Sequence, residues 1–414
     1  MFPAYSVSLS ALQADSSAID VVGNDLANLN TTGYKATDID FENLMSQSLG
    51  IGQSMSQVGM GVGPLQTVTS YTQGTLTTTN GPTDAAIQGN GFFVVKGSDG
   101  QMLYTRDGSF QVNDQGQLVT ATGEAVQGWS AVNGVVNPSG AVGNLTAQAG
   151  STIPATATTT MSMDVNLNAA TAADGTFSAP IQVIDSQGTS HTLTVTFTET
   201  SANNWKYAVT IPSADLQSGG TTTLASSTLT FNPDGSLSDP DVKGSPVALK
   251  ISGLADGAAD VDINWNLYNA DGSSMLTQYA EASGVSSTSQ NGYSAGQISS
   301  FSLQNGGTLI AKYSNGQQIT LGQLALANVP NPDSLVSVGN NELQSTVATG
   351  SITLGAAQSA GLGKITAGAL ETSTVDIANE FANLLTYERS YQAASRVITT
   401  NDQMLQGILE LIHP

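Results

Sequence analysis

The chain has 414 residues and a formal net charge of −22, from 32 acidic and 10 basic residues, and it contains no cysteine. The absence of cysteine excludes disulfides, thiolate metal sites and a cysteine nucleophile. The acidic excess argues against nucleic acid or anionic lipid as a partner. The first ten residues lack the basic and apolar regions of a secretory signal peptide, and no stretch approaches the ~18 consecutive apolar residues of a membrane span. We therefore expect no nucleic-acid binding, no membrane insertion and no cleaved signal.

The first predicted element is a helix over residues 3–29. Its large apolar side chains recur at intervals of seven: Tyr5, Leu12, Ile19 and Leu26. This interval keeps one stripe of a helix facing one neighbour. The helix is predicted to end within Asn28–Gly33, because Asn and Gly favour turn conformations. Residues 35–73 hold a glycine-rich run and few apolar residues, which predicts an extended connector.

The middle of the chain predicts strands and turns. Short apolar runs alternate with Asn, Asp and Gly turns, first after residue 74, then from 181 to 231, and again from 298 to 326. The stretch His191–Phe197 alternates strictly between polar and apolar residues, as expected for a half-buried strand. The order is therefore helix, three β blocks, helix. The simplest closed arrangement joins the first and third blocks and leaves the second as an insertion.

The last predicted element is a helix that begins near residue 377, with Ser373–Asp376 as a predicted capping box. Its apolar residues also recur every seven positions: Ile377, Leu384, Tyr391, Ile398, Leu405 and Ile412. The apolar stripe widens at Val397, Met404, Ile408 and Leu411, which gives more apolar surface than one partner helix covers. Pairing of the two terminal helices within a monomer explains part of this pattern, and contact with other chains explains the rest.

These patterns predict a fold that is mainly β, with long terminal α-helices and two β domains in a nested, discontinuous arrangement. The helices would form a coiled-coil-like polymerisation domain from residues 1–34 and 364–414. The predicted interface consists of their apolar side chains: Tyr5, Leu9, Leu12, Ile19, Val22, Leu26, Ile377, Phe381, Leu384, Leu385, Tyr391, Val397, Ile398, Met404, Leu405, Ile408 and Ile412. The remaining domains are predicted at 35–73 (connector), 74–146 with 291–363 (first β domain) and 147–290 (inserted β domain).

No pattern predicts an enzyme. The chain contains two histidines, His191 and His413, which we interpret as solvated or strand-face residues, and no G-x-S-x-G motif accompanies them. The segment Gly89–Gly91 precedes a strand instead of following one, so it is a turn and not a dinucleotide site. The segment Asn232–Gly235 lacks the Glu that a calcium loop needs. We expect no catalytic residue, no cofactor and no metal.

Several long segments resemble one family. Ser10–Ala14 with Ile19–Lys35 is similar to the N-terminal signature of the bacterial flagellar rod and hook proteins, and Val375–Leu405 is similar to their C-terminal signature. Ile87–Phe93 and Tyr104–Phe110 resemble the β domain that this family shares. The family motif falls on Asn28, Asn30, Thr31, Thr32 and Gly33. One departure is Asp25, where the family usually has Asn.

Within that family, the block at 181–231, Ser286–Gly296 and Tyr313–Gln317 are similar to the hook subunits, because distal rod proteins are shorter and lack a large insertion. The resemblance implies a structural subunit that is exported unfolded by the flagellar type III apparatus without signal cleavage. Such subunits assemble under a cap into a short curved tube, which joins rod to filament and transmits torque as a universal joint. The terminal helices would line the inner wall, with the inserted domain outermost.

The resemblance also implies partners and a location. The chain would bind copies of itself in a helical homopolymer, and it would contact rod, hook cap and hook-filament junction proteins and the export apparatus. It would lie in the extracellular part of the flagellum, at the hook of the basal body. Three alternatives stay open at this point: a distal rod protein with an unusual insertion, an extracellular β-rich adhesin, and an enzyme built on His191.

Overall fold

The computed structural model describes residues 3–44, 47–49, 56–146, 152–240 and 246–412. Helix α1 spans Pro3–Ala27 and helix α2 spans Ile377–Ile412. Short 3-10 helices occupy Ser213–Asp215, Pro332–Ser334 and Val347–Thr349. The rest of the described chain forms strands and the turns that join them. This confirms the predicted class, which is mainly β with two terminal helices that pack together.

The chain divides into two compact units. Unit 1 comprises Met1–Ala149, Ser300–Lys312 and Gln318–Pro414, and unit 2 comprises Gly150–Ser299 and Tyr313–Gln317. Both terminal helices belong to unit 1. The finer division into helical domain, connector, first β domain and inserted domain stays a prediction.

Unit 1 contains short strands, many of them paired across long sequence separations. Their bounds are Thr37–Asp40, Gln47–Leu49, Ser56–Val58, Gln66–Thr69, Leu76–Thr78, Ala85–Gln88, Phe92–Lys96, Met102–Thr105, Gln111–Val112, Leu118–Val119, Ala125–Val132, Val135–Val136, Gly143–Asn144, Thr308–Tyr313, Gln318–Leu324, Leu326–Asn328, Val336–Gly339, Glu342–Gln344, Thr353–Gly355, Lys364–Ala367 and Ala369–Glu371. Strand Gly296–Gln304 starts in the residues of unit 2 and ends in those of unit 1, and the last residue of strand Thr308–Tyr313 belongs to unit 2.

Two pairings in unit 1 bring the C-terminal part of the chain to its N-terminal part. Strand Lys364–Ala367 pairs antiparallel with Ala85–Gln88, and Ala369–Glu371 pairs antiparallel with Leu76–Thr78. The core beneath them is apolar and closely packed, and the rings of Phe93 and Phe110 meet edge to face at 5.0 Å. These pairings hold the segment before α2 against residues 76–88.

Unit 2 contains two five-stranded sheets. The strands of the first sheet are Thr160–Asn168, Val247–Ile251, Val261–Asn266, Leu276–Tyr279 and Gly284–Gln290, and those of the second are Thr176–Ile184, Ser190–Ser201, Asn204–Thr210, Thr223–Phe231 and Leu237–Asp239. A two-residue strand, Thr152–Ile153, pairs with Gly296–Gln304. The side chains of strand Thr160–Asn168 alternate between buried and half-buried, so one face of this strand supplies core residues. That core includes Trp205 and Trp265, which are fully buried.

The predicted capping box at Ser373–Asp376 is wrong. Helix α2 begins at Ile377, and Asp376 caps it: its Oδ1 accepts hydrogen bonds from the N–H groups of Ala378 (2.8 Å) and Asn379 (3.3 Å). The physical reason lies two residues before Asp376. Thr374 is held in a non-helical contact, because its N–H donates to the carbonyl of Tyr34 at 3.1 Å.

Candidate functional site: the terminal helices and their anchor

The two terminal helices pack antiparallel within unit 1. Thr374, just before α2, contacts the segment after α1, because its Oγ1 accepts the N–H of Ala36 at 2.8 Å. Further along the pair, burial and the charge of Asp25 raise the pKa of Glu380. Because α2 has 36 residues and α1 has 25, the last turns of α2 extend beyond the N-terminal end of α1.

The residues buried along α1 are mostly small. Ala14, Ala18 and Val22 are at most 6% exposed, and Ala394 is the one buried residue among the α2 side chains that the structure describes. Because these buried residues are small, the burial uses little of the large apolar surface of the two helices. Val22 of the predicted interface is therefore covered within its own chain.

Most of the other predicted interface residues keep part of their surface exposed. Leu9 of α1 is exposed, as are these residues of α2: Ile377, Phe381, Leu385, Tyr391, Val397, Met404, Leu405 and Ile408. The α2 residues are between 37% (Tyr391 and Leu405) and 59% (Met404) exposed. Half-buried members of the predicted set are Tyr5, Leu12, Ile19, Leu26, Leu384 and Ile398. The side chain of Ile412, and all of His413, lie outside the described part of the structure.

The family motif forms the turn that ends α1. The Oδ1 of Asn28 accepts a hydrogen bond from the hydroxyl of Thr31 at 3.0 Å, and the carbonyl of Thr32 accepts the side-chain N–H of Asn341 at 2.7 Å. Asn30 is exposed in this turn. Gly33 has a φ of +68°, and a Cβ there would lie 2.7 Å from the carbonyl carbon of Arg106. This position therefore requires glycine, for both its backbone conformation and its lack of a side chain.

Asp25, the departure from the family pattern, is fully buried and has partners for both carboxylate oxygens. Oδ1 accepts the hydroxyl of Tyr34 at 2.7 Å, and Oδ2 accepts the N–H of Thr37 at 2.8 Å. Burial raises the pKa of Asp25, and the bonds from Thr37 and Tyr34 act in the opposite direction. Burial and the bond to Asp25 also raise the pKa of the Tyr34 hydroxyl. These bonds attach the last turn of α1 to the strand that follows it.

A buried ion cluster lies beside this turn, and sequence reasoning missed it. Oε1 of Glu371 accepts hydrogen bonds from Nζ of Lys35 (2.7 Å), Nε2 of Gln73 (2.9 Å) and the N–H of Gly74 (2.7 Å). Nη1 of Arg106 lies 3.4 Å from Oε2. The side chain of Glu371 is fully buried, and burial lowers the pKa of both Lys35 and Arg106.

The cluster and the motif act on the same stretch of backbone. The N–H of Gly33 donates to the carbonyl of Glu371 at 2.8 Å, and Nζ of Lys35 also donates to the carbonyl of Thr72 at 2.6 Å. Glu371 lies six residues before α2, and Lys35 lies eight residues after α1. The arrangement therefore fixes two positions. One is where the chain passes from α1 into the β part of unit 1, and the other is where it passes from the β part into α2.

The interpretation of His191 as solvated is wrong, although it does lie on the face of a strand. His191 is 6% exposed within unit 2, and carboxylates surround its ring. The error has a physical cause. The alternating pattern of strand Ser190–Ser201 places position 191 on the inward face together with Leu193, Val195 and Phe197.

In the part of the chain that the structure describes, neither terminal helix has the length and hydropathy of a membrane span.

Three family models match the chain. Residues 6–35 match "Flagella basal body rod protein", residues 144–293 match "Flagellar basal body protein FlaE D2 domain", and residues 366–411 match "Flagellar basal body rod FlgEFG protein C-terminal". The flagellar hook protein FlgE of Salmonella typhimurium is 34% identical over 98% of this chain and 99% of its own length. The chain belongs to the flagellar hook protein family.

Other hook proteins match over similar lengths. The hook protein of Escherichia coli is 32% identical over 99% of this chain and 100% of its own length, and that of Treponema pallidum is 32% identical over 97% and 98%. The crystal structure of the Helicobacter pylori flagellar hook protein FlgE2 has a TM-score of 0.51 at 13% identity, over 72% of this chain and 100% of that chain. This structural likeness supports the fold. Full-length matches to hook proteins do not favour the distal rod alternative.

Proposed function

We propose that α1 and α2 form the surface through which copies of this hook subunit polymerise. The observation that carries the proposal is the row of large apolar side chains along α2, which stay 37–59% exposed although α1 already packs against the helix. Water-exposed apolar surface of this extent on one helix is unusual for a protein that functions as a monomer. Each such side chain contributes roughly 1 kcal/mol when the remaining half of its surface is buried.

Several neighbouring chains are needed to cover this surface. Phe381 and Leu385 lie along the part of α2 that packs against α1, whereas Met404 and Ile408 lie in the last turns, which extend beyond α1. A helix that is apolar on more than one side suits a bundle or tube wall, where it has several neighbours. This is the geometry expected of a helical homopolymer.

The polymer is a short curved tube that joins rod to filament and transmits torque as a flexible joint. In our proposal the closely packed helices hold the tube together, while the β-rich remainder of each subunit takes up the changes of length that bending demands. The partners are other copies of the chain, together with rod, hook cap and hook-filament junction proteins and the export apparatus. The location is the extracellular hook of the flagellar basal body. The subunit carries no catalytic activity and binds neither nucleic acid nor membrane.

A charge substitution in the apolar row tests this proposal. Met404→Glu places a carboxylate where an apolar contact is expected, and burying an unpaired charge is strongly unfavourable. We expect this variant to stay monomeric under salting-out conditions that convert the parent protein into tubes, as measured by pelleting and electron microscopy. Gln403→Glu is the matched control, because it adds the same charge at the adjacent, polar and exposed position. Tubes of normal yield from Met404→Glu would contradict the proposal.

A further inference from the structure

A second cluster of charged side chains, unrelated to the helices, lies within unit 2. Nε2 of His191 lies 3.1 Å from Oδ2 of Asp185 and 3.9 Å from Oδ2 of Asp256. On the other side of the ring, Nδ1 lies 3.3 Å from Oδ2 of Asp215. The side chain of Asp185 is fully buried and that of His191 is 7% exposed, whereas Asp215 and Asp256 are about 30% exposed. The cluster therefore has a buried floor and an open side.

The elements around the cluster aim its atoms at one point. Oδ1 of Asp185 accepts the N–H groups of Gln187 (2.8 Å) and Thr189 (2.9 Å) in the turn before the histidine strand, which leaves Oδ2 directed at His191. Asp215 ends a 3-10 helix, and its carbonyl accepts the N–H of Ala255 at 2.9 Å, which holds the loop that carries Asp256. Three separate segments thus meet at the imidazole.

We propose that Asp185, His191 and Asp256 bind a divalent transition-metal cation of the Zn²⁺ class. Their ligand atoms (Oδ2, Nε2 and Oδ2) all lie within 4.8 Å of one another. Ligands at about 2.0–2.1 Å in a tetrahedral zinc site are separated by about 3.3 Å, which falls between the two distances measured from Nε2. Nitrogen and carboxylate ligands suit Zn²⁺, whereas Ca²⁺ and Mg²⁺ prefer sites made of oxygen alone.

Asp215 completes the arrangement as a positioning residue. A histidine that binds a metal through Nε2 usually donates its Nδ1–H to a carboxylate or a carbonyl, which fixes the tautomer and the orientation of the ring. Oδ2 of Asp215 lies where this acceptor is needed. The three protein ligands leave a fourth position on the open side for water. The cation would join the turn at 185–189, strand Ser190–Ser201 and the loop that carries Asp256, and so stabilise unit 2.

The test uses the full chain, stripped of metal with a chelator and then titrated with Zn²⁺ alone by isothermal titration calorimetry. We expect one Zn²⁺ per chain and a higher thermal midpoint with the metal than without it. Asp256→Asn should weaken binding at least tenfold. Because the Asp256 side chain is partly exposed, we expect this variant to fold normally. Asp215→Asn should weaken binding 10- to 100-fold, although this residue does not touch the metal.

Asp262→Asn is the matched control, because it removes the same charge from an exposed position on strand Val261–Asn266, which follows the loop that carries Asp256, and it should bind Zn²⁺ within twofold of the parent. His191→Gln should abolish the absorption that Co²⁺ acquires in a tetrahedral site. Equal affinity in Asp256→Asn and Asp262→Asn would overturn the proposal, as would Zn²⁺ binding that survives His191→Gln. Failure of the parent chain to bind Zn²⁺ would also overturn the proposal, and the cluster would then be an ion pair between His191 and its carboxylates.

Discussion

Replacing Glu371 with Gln tests whether the buried ion cluster anchors the terminal helices. The substitution keeps the shape of the side chain and removes its charge. Oε1 can still accept hydrogen bonds from Gln73 and Gly74, but an amide N–H₂ group then faces the guanidinium of Arg106, and two buried cations lose their counterion. Removing one partner of a buried ion pair costs about 3–5 kcal/mol, because the remaining charge stays desolvated.

The assay is urea unfolding of the dilute monomer, followed by circular dichroism. With an m-value of about 3 kcal/mol/M, a loss of about 4 kcal/mol lowers the urea midpoint of unit 1 by about 1.3 M. Hydrogen exchange of the strand Ala369–Glu371 should accelerate as well, because that strand lies at the cluster. Tube formation should fall in parallel, since the C-terminal end of α1 and the N-terminal start of α2 lose their fixed positions.

Glu388→Gln is the matched control, because it makes the same chemical change at an exposed position of α2. We expect its free energy of unfolding to stay within about 0.5 kcal/mol of the parent value. Lys35→Met combined with Glu371→Gln should recover part of the lost stability, since the double variant removes one of the unpaired cations. A Glu371→Gln midpoint equal to that of Glu388→Gln would refute the reasoning, and the anchoring role with it.

Two further predictions concern unit 1. Gly33→Ala should destabilise the chain by about 1–3 kcal/mol and reduce tube yield, because a Cβ at this positive φ meets the backbone of Arg106; unchanged thermal unfolding would argue against this. Burial, together with the charge of Glu124, raises the pKa of Glu342 to about 7. This carboxyl therefore favours the folded state less as pH rises from about 4.5 to 7, and Glu342→Gln should be about 3 kcal/mol more stable than the parent at pH 8, with no gain at pH 4. Equal gains in urea unfolding at both pH values would contradict it.

The sequence predicted the two helices because their signal is local and repetitive. Intervals of seven along residues 377–412 place large apolar side chains on one stripe whatever the helix packs against. The same logic does not identify which residues of α1 are most deeply buried. The interval of seven selects large residues such as Leu12 and Ile19, which are half-buried, whereas the buried positions include the small residues Ala14 and Ala18.

The parts that sequence reasoning missed lack a local pattern. Lys35 and Glu371 are 336 residues apart, so no window of the sequence contains both. Strand Gly284–Gln290 lies between the second and third predicted β blocks, because most of its side chains are polar and exposed and give no apolar alternation. Its pairing with Thr160–Asn168 comes from backbone hydrogen bonds, which need no apolar alternation.

The buried ion cluster and the exposed apolar side chains of α2 have different roles in the molecule. Buried charges at Lys35, Arg106 and Glu371 hold the bases of both helices, because breaking such a cluster is costly once it is desolvated. Exposed apolar side chains then continue along α2, and in our proposal other copies of the chain cover them. A helix held at its base presents its surface with little loss of conformational freedom on association, which lowers the cost of joining a polymer. Anchor and apolar surface are therefore expected to fail together: a subunit with a loosened anchor keeps its apolar residues and still assembles poorly.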